Sequence, residues 1–235
     1  MDNVHETPHE TTAPESVRIW DIPTRIFHWG LVICFVGSVV SAKMLNFVVH
    51  QYFGYTILAL LVFRLIWGII GSQPSRFSNF VRGPRHVIHH IRDFIRPGRT
   101  THVERTHNPL GGWVVLVFFA LLLFSAMSGW FANDGELFQG PLAQYISYEF
   151  SDRISGMHHD ISDIILILAI IHTLTILVYY IWKRDNLLTA MLTGKKRLAA
   201  GQAYDRTVWF VPTAKGLIAM VVVGLVVAGL VFMFR

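Results

Sequence analysis

The sequence is poor in cysteine and in charged residues, and its first 16 residues do not have the pattern of a cleavable targeting signal. Its single cysteine, Cys34, cannot form an internal disulfide. One cysteine also excludes a cysteine-held iron–sulfur cluster, a four-cysteine zinc site and covalent attachment of a c-type haem. Residues 1–16 are polar and acidic, without an apolar core or a small-residue cleavage site. We therefore expect a disordered cytoplasmic tail there, and not a signal peptide.

Charged residues make up 15% of the 235 residues, and hydrophobic residues make up 53%. Soluble domains contain about a quarter charged residues. An apolar stretch of about 20 residues is enough to cross a bilayer. The composition therefore predicts one all-α integral membrane protein, with five candidate spans at Phe27–Phe47, Tyr52–Ile70, Gly112–Phe131, His158–Tyr180 and Thr213–Phe234.

Positive charge is concentrated in two of the connections between these spans. Residues 71–111 and 183–212 hold most of the arginines and lysines, whereas the other connections hold only Lys43 and Arg153. By the positive-inside rule the N-terminus and both basic connections are cytoplasmic, and the C-terminus is periplasmic. The basic residues then face the inner surface and its anionic lipid, and nothing indicates nucleic acid as a partner.

One of the basic connections contains the segment RHVIHHIRDFI, which ends at Ile95. Its apolar residues recur at helical spacing, with arginine and histidine between them. This pattern predicts a short interfacial helix on the inner membrane surface. The histidines of this segment belong to its polar side. No internal repeat and no Gly-x-Gly-x-x-Gly motif accompanies it.

Five further histidines fall within or beside the spans. The predicted topology places His28 near the inner face and His50 near the outer face. His158 and His159 lie at the outer end of the fourth span, and His172 lies about 21 Å deeper along it. At 100° per residue His158 returns to within roughly 40° of the direction of His172, whereas His159 lands about 140° away. The sequence therefore predicts an outer pair and an inner pair.

The depth of these pairs in the membrane, and the presence of two histidines in each, favour one kind of metal site over others. A neutral imidazole in hydrocarbon needs a polar partner, and ionisable residues inside the membrane are candidate functional residues. Two facing histidines at one depth suit a six-coordinate haem iron, so we expect His50 and His158 to bind the outer iron and His28 and His172 the inner one. Zinc, which usually gathers three or four ligands, is the rival metal. Hydrogen bonding to backbone carbonyls is the alternative without a metal.

Three neighbouring residues are candidates for supporting roles. Gly54 lies on the same helix face as His50 and leaves room for a flat macrocycle, although small residues also serve plain helix packing. Arg64 lies on that face toward the inner side, where it either pairs with haem propionates or extends to the headgroups. His159 points to the outer rim, toward a propionate, a partner or water. A bulge in the helix would bring His159 to the iron instead of His158.

Longer motifs surround these histidines. They read VRIWDIPTRIFHWGL around His28, HQYFGYTILALLVFRLIWGIIGS from His50, HNPLGGW before the third span, SGMHHDISDIILILAIIH into the fourth and RDNLLTAMLTGKKR after it. On these motifs, which cover roughly residues 17–197, the chain resembles the bacterial b561-type cytochromes that include the Ni,Fe-hydrogenase cytochrome b subunits.

The resemblance implies a four-helix transmembrane bundle in the bacterial inner membrane that encloses two b haems. Its ligands would be the four paired histidines. It also implies electron exchange between quinone and a periplasmic redox partner, a c-type cytochrome or a hydrogenase-like enzyme, so that the chain is an electron-transfer protein or a quinone oxidoreductase. The acidic connection at residues 132–157 suits a basic c-type cytochrome.

The fifth span departs from the family pattern, which usually ends after four. We expect three parts: the tail at 1–16, the cytochrome domain at 17–197, and a linker with the fifth helix at 198–235. That helix packs against a second copy of the chain, against a partner's anchor or at the edge of its own bundle. Other functions also remain open: a superoxide or other small-oxidant:quinone oxidoreductase, a histidine-relay transporter, and a haem-free anchor.

Overall fold

A computed structural model describes most of the chain. The described residues are 9–10, 15–81, 83, 85, 87–88, 109–135, 138–182, 185–198, 203–204 and 208–234. Most of the predicted interfacial helix, including residues 89–95, lies outside them.

Helices dominate the described residues. In chain order they are α1 Ile22–Lys43, α2 Phe47–Ile70, α3 Phe77–Phe80, α4 Pro109–Ser128, α5 Tyr148–Trp182, α6 Leu187–Thr193 and α7 Thr213–Phe234. Within the described part of the chain, five of them are long and apolar enough to cross a membrane, namely α1, α2, α4, α5 and α7. Each corresponds to one of the five spans that the sequence predicts.

The α5 helix differs most from the predicted boundaries. It begins at Tyr148, ten residues before the predicted start of the fourth span at His158. Its 35 residues extend over about 52 Å, which exceeds the roughly 30 Å of a bilayer's hydrocarbon core. The first turns of α5 are amphipathic rather than apolar, because Glu149, Asp152 and Arg153 interrupt them. Hydropathy alone therefore places the start of this helix too late.

Two short sheets join the N-terminal segment to the residues after α5. Strand β1, His9–Glu10, pairs with β4, Ala203–Tyr204, and β2, Glu15–Arg18, pairs with β3, Lys195–Leu198. Both pairings are antiparallel. Residues 9–10 and 15–16 are thus in strands, where the sequence analysis expects a disordered tail. No hydrophobic periodicity marks such short polar strands.

Four of the spanning helices meet in one hydrophobic cluster. Its buried members come from α1, α2, α4 and α5: Cys34, Ile57, Leu60, Leu61, Leu122 and Ile165. The lone cysteine is therefore an apolar packing residue in this core.

The fifth span, α7, packs against its own chain. Val223 and Val227 of α7 form a second buried cluster with Phe63 and Trp67 of α2. A Cβ atom on Gly216 would collide with the ring of Pro23 at the start of α1, so α7 approaches α1 closely at this point. The structure thus shows α7 at the edge of its own helix assembly, and contact of α7 with a second copy or with a partner's anchor stays a prediction.

A buried carboxylate holds the beginning of α1 to α2 and to the turn that follows α2. Asp21 caps α1 and accepts hydrogen bonds from the backbone N–H of Thr24 (2.8 Å), from Trp67 Nε1 (2.9 Å) and from Ser75 Oγ (3.0 Å). Burial by itself raises the pKa of a carboxyl group. Hydrogen bonds from Ser72, Thr24 and Trp67 outweigh that effect and hold the pKa of Asp21 below its ordinary 3.8.

We expect Asp21→Ala to lower the thermal unfolding midpoint of the protein in detergent. The substitution removes a helix cap and leaves the buried donors of Trp67 and Ser75 without an acceptor, a loss of roughly 2 kcal/mol or more. Because the folded-state pKa is lowered, this stabilisation is complete at neutral pH and disappears as the pH falls through 3.8 and below. Asp152→Ala, at an exposed position, is the control. Equal midpoints for the two variants would contradict this role of Asp21.

Candidate functional site

The first pair of predicted site residues comes together between α2 and α5. His50 lies in the first turn of α2, and His158 lies ten residues after the start of α5. The centres of their imidazole rings are 6.1 Å apart, and the ring planes are inclined at 83°. Two histidines that are 108 positions apart in the sequence therefore face each other, as the depth argument predicts.

The Nδ1 atom of each ring lies among oxygen acceptors. His50 Nδ1 is 2.9 Å from the backbone carbonyl oxygen of Ser38 and 3.1 Å from its Oγ. His158 Nδ1 is 3.0 Å from the carbonyl oxygen of Ser125 and 3.0 Å from Ser128 Oγ. A carbonyl oxygen can only accept, so the proton of each ring belongs on Nδ1. Nε2 of each ring is then left as the unprotonated, electron-donating nitrogen.

This geometry fits two axial ligands of one metal ion. A metal–imidazole bond is about 2 Å long, and the ring centre lies about 1 Å beyond the nitrogen. Two imidazoles on opposite sides of one ion therefore have centres about 6 Å apart. Metal-binding histidines almost always donate their other N–H to a carbonyl or a carboxylate. The His50–His158 pair satisfies both conditions, so these residues fit a six-coordinate iron.

The second pair, His28 and His172, is less tightly enclosed. The two residues are close enough to interact electrostatically. His28 Nδ1 is buried and has no hydrogen-bond partner among the described residues. The His172 ring is exposed and contacts Phe118, with the ring centres 5.9 Å apart. The structure thus brings His28 and His172 into one region, without the acceptors that surround the first pair.

His159 lies beside the first pair and does not face His50. The α5 helix is unbroken through residues 160–163, which is the condition on which the helical-phase argument depends. The His159 side chain is exposed, whereas His158 is partly buried. The two rings contact each other edge to face, with centres 6.2 Å apart. It is His158, and not His159, that faces His50.

Gly54 and Arg64 have different surroundings from each other. A Cβ atom on Gly54 would meet no other atom within 4 Å, so open space adjoins α2 one turn after His50. Arg64 is 3% exposed and donates from Nη1 to the carbonyl oxygen of Ser75 at 2.8 Å. The rings of Phe27, Phe77 and Phe80 surround its guanidinium group. Arg64 therefore has protein partners, and its pairing with a propionate stays a prediction.

Sequence reasoning missed the residues that orient the histidines. Ser38, Ser125 and Ser128 are hydroxyl residues within apolar helices, and that isolation is the only sequence signal they carry. Their distance along the chain from the histidines hides the contacts. Asp21 was also missed, although an Asp directly before Ile-Pro-Thr is a recognisable helix start.

Known proteins provide an independent comparison. A family model described as prokaryotic cytochrome b561 matches residues 19–194. The comparison with curated proteins and the comparison with solved structures each gave no match. The matched segment begins in front of α1, ends after α6 and includes both histidine pairs. Because the match covers well over half of the chain, the protein belongs to the prokaryotic cytochrome b561 family, and it is a multi-pass membrane protein of the b-type cytochromes that bind haem b and transfer electrons.

Proposed function

We propose that the protein carries electrons across the bacterial inner membrane through two b haems, between a periplasmic redox protein and the quinone pool. The observation that carries this proposal is the His50–His158 pair, with ring centres 6.1 Å apart and each Nδ1 beside a carbonyl oxygen. A histidine relay for proton transport would not require two facing imidazole rings whose Nδ1 atoms are both held by carbonyl oxygens. The family match supplies the identity of the cofactor.

Each haem is held in this proposal by two histidines from different helices. His50 of α2 and His158 of α5 bind the outer haem, and His28 of α1 and His172 of α5 bind the inner one. A bound haem supplies reversible one-electron chemistry at iron. His158 and His172 lie about 21 Å apart along α5, so α5 connects a site in each leaflet.

The distribution of charge supports the proposed orientation. Strand β3 contains Lys195, Lys196 and Arg197, and it pairs with the N-terminal strand β2 directly before α1. This basic end suits the cytoplasmic face of the inner membrane. The N-terminus is then cytoplasmic, and the C-terminal end of α7 is periplasmic.

The opposite end of the molecule suits a soluble redox partner. Glu149 and Asp152 in the first turns of α5 are exposed, as are the nearby rings of Tyr145 and Tyr148. Exposed carboxylates attract a basic partner and accelerate its association, and tyrosine is enriched in protein interfaces. We propose a basic c-type cytochrome as the partner on this periplasmic surface.

Electron transfer across a sealed bilayer tests this function. Proteoliposomes with ferricyanide inside receive dithionite outside, and the bleaching of ferricyanide is followed optically. We expect the wild-type protein to transfer electrons much faster than empty vesicles. His28→Ala and His158→Ala should each reduce the rate to that of empty vesicles, because each interrupts one site. A wild-type rate equal to that of empty vesicles would contradict the proposal.

His158 and His159 provide a matched pair of variants. We expect His158→Ala to lose about half of the bound haem, because its Nε2 is a proposed iron ligand. His159→Ala should keep the wild-type haem content, because the exposed His159 ring lies beside the site and not within it. Haem per chain is measured on the purified variants by the pyridine haemochrome spectrum. Loss of haem in His159→Ala with retention in His158→Ala would show that the ligand assignment is wrong.

A further inference from the structure

The two histidine pairs differ in what surrounds their Nδ1 atoms. At the outer pair, His50 Nδ1 lies near two oxygens of Ser38, and His158 Nδ1 lies near oxygens of Ser125 and Ser128. Ser128 Oγ donates to the carbonyl oxygen of Ser125 at 2.9 Å, so its lone pair is free to accept from His158. At the inner pair, His28 Nδ1 is buried with no acceptor among the residues that the structure describes.

This difference changes how strongly the ligands stabilise each oxidation state of iron. An acceptor on Nδ1–H draws the proton away from the ring and makes Nε2 a more basic ligand. A more basic ligand stabilises the oxidised, more positive iron and lowers the reduction potential of the haem. An imidazole whose Nδ1–H has no acceptor lacks this contribution. The outer ligands therefore favour ferric iron more strongly than His28 does.

We propose that Ser38 and Ser128 are positioning residues that set the reduction potential of the outer haem below that of the inner haem. The inference rests on the proposed function, because it presupposes a haem at each pair. One electron then passes from the outer haem, which becomes oxidised, to the inner haem, which becomes reduced. The periplasmic redox protein is the donor and the quinone is the acceptor. The hydrogen bonding of the ligands thus makes electron transfer from the outer haem to the inner haem energetically favourable.

Two buried charges on the side of His28 act on the inner iron in opposite directions. Arg64 is buried beside Phe27, the neighbour of His28 in the sequence, and a positive charge there favours reduced iron. Asp21 is also buried and interacts with Arg64 electrostatically, so its negative charge opposes the effect of Arg64.

The membrane potential provides a physical reason for this order of the two reduction potentials. With the inside negative, the membrane potential opposes inward movement of an electron. A higher reduction potential at the inner haem compensates for part of that opposition. A cytochrome that delivers electrons inward therefore works better with the lower-potential haem outside.

A redox titration of purified protein, followed at the b-type absorption band, tests the proposal. The wild type should titrate as two components. The double variant Ser38→Ala and Ser128→Ala should move the lower midpoint potential upward, toward the unchanged higher one, because each outer imidazole loses one of its two acceptors. The matched control is Ser162→Ala, since Ser162 Oγ lies 3.3 Å from Ser125 Oγ and has no hydrogen bond to a histidine among the described residues. Ser162→Ala should leave both midpoints in place.

A variant of an inner-haem ligand shows which component of the redox titration belongs to which haem. His28→Ala should remove the higher-potential component and keep the lower one. Removal of the lower component, or a shift of the higher midpoint in the serine variant, would overturn the inference and leave the two-haem function intact. A lower midpoint that stays in place in the serine variant would overturn it as well. If His28→Ala retains no haem, the redox titration of the serine double variant alone tests the inference. A wild type with fewer than two haems would instead refute the proposed function.

Discussion

The constraint on which the structure depends is the cost of leaving an imidazole without partners inside a membrane. Each ring has two nitrogens, and hydrocarbon satisfies neither of them. At the outer pair the carbonyl oxygens of Ser38 and Ser125 satisfy Nδ1, at 2.9 Å and 3.0 Å. Those carbonyls belong to α1 and α4, whereas the histidines belong to α2 and α5. One pair of rings therefore positions four helices relative to one another and leaves the Nε2 atom of each ring available as a ligand.

A second polar centre fixes the other end of the helices. The ionised Asp21 joins the start of α1 to Trp67 of α2 and to the turn that contains Ser75. Arg64 donates to the same turn, and Val211, just before α7, donates to Ser72 Oγ at 3.1 Å. The fifth span thus docks on the segment that Asp21 organises. Packing along most of the helix length is apolar, so these few hydrogen bonds give the ends of the helices their specific positions.

The sequence was informative where a long-range physical rule applies. Apolar length predicts the five spans, and helical phase with depth predicts that His50 faces His158 rather than His159. It was less informative where the outcome depends on contacts between distant residues. The pattern around Arg64 does not reveal that Phe27, Phe77 and Phe80 enclose its guanidinium group. Likewise, the small residues of α7 permit several kinds of helix contact. Only the structure shows that Gly216 lies directly against the ring of Pro23, where a larger residue would not fit. The acceptors of the histidines are backbone carbonyls, which every residue has, so no residue type marks them.

The central claim is that the chain brings together two histidine pairs, each suited to one haem b. The ratio of haem to protein in the purified wild-type chain tests it most directly. It is obtained from the pyridine haemochrome spectrum and quantitative amino-acid analysis of the same sample. The account predicts two haem b per chain. A ratio of one or less in a fully folded sample would contradict it.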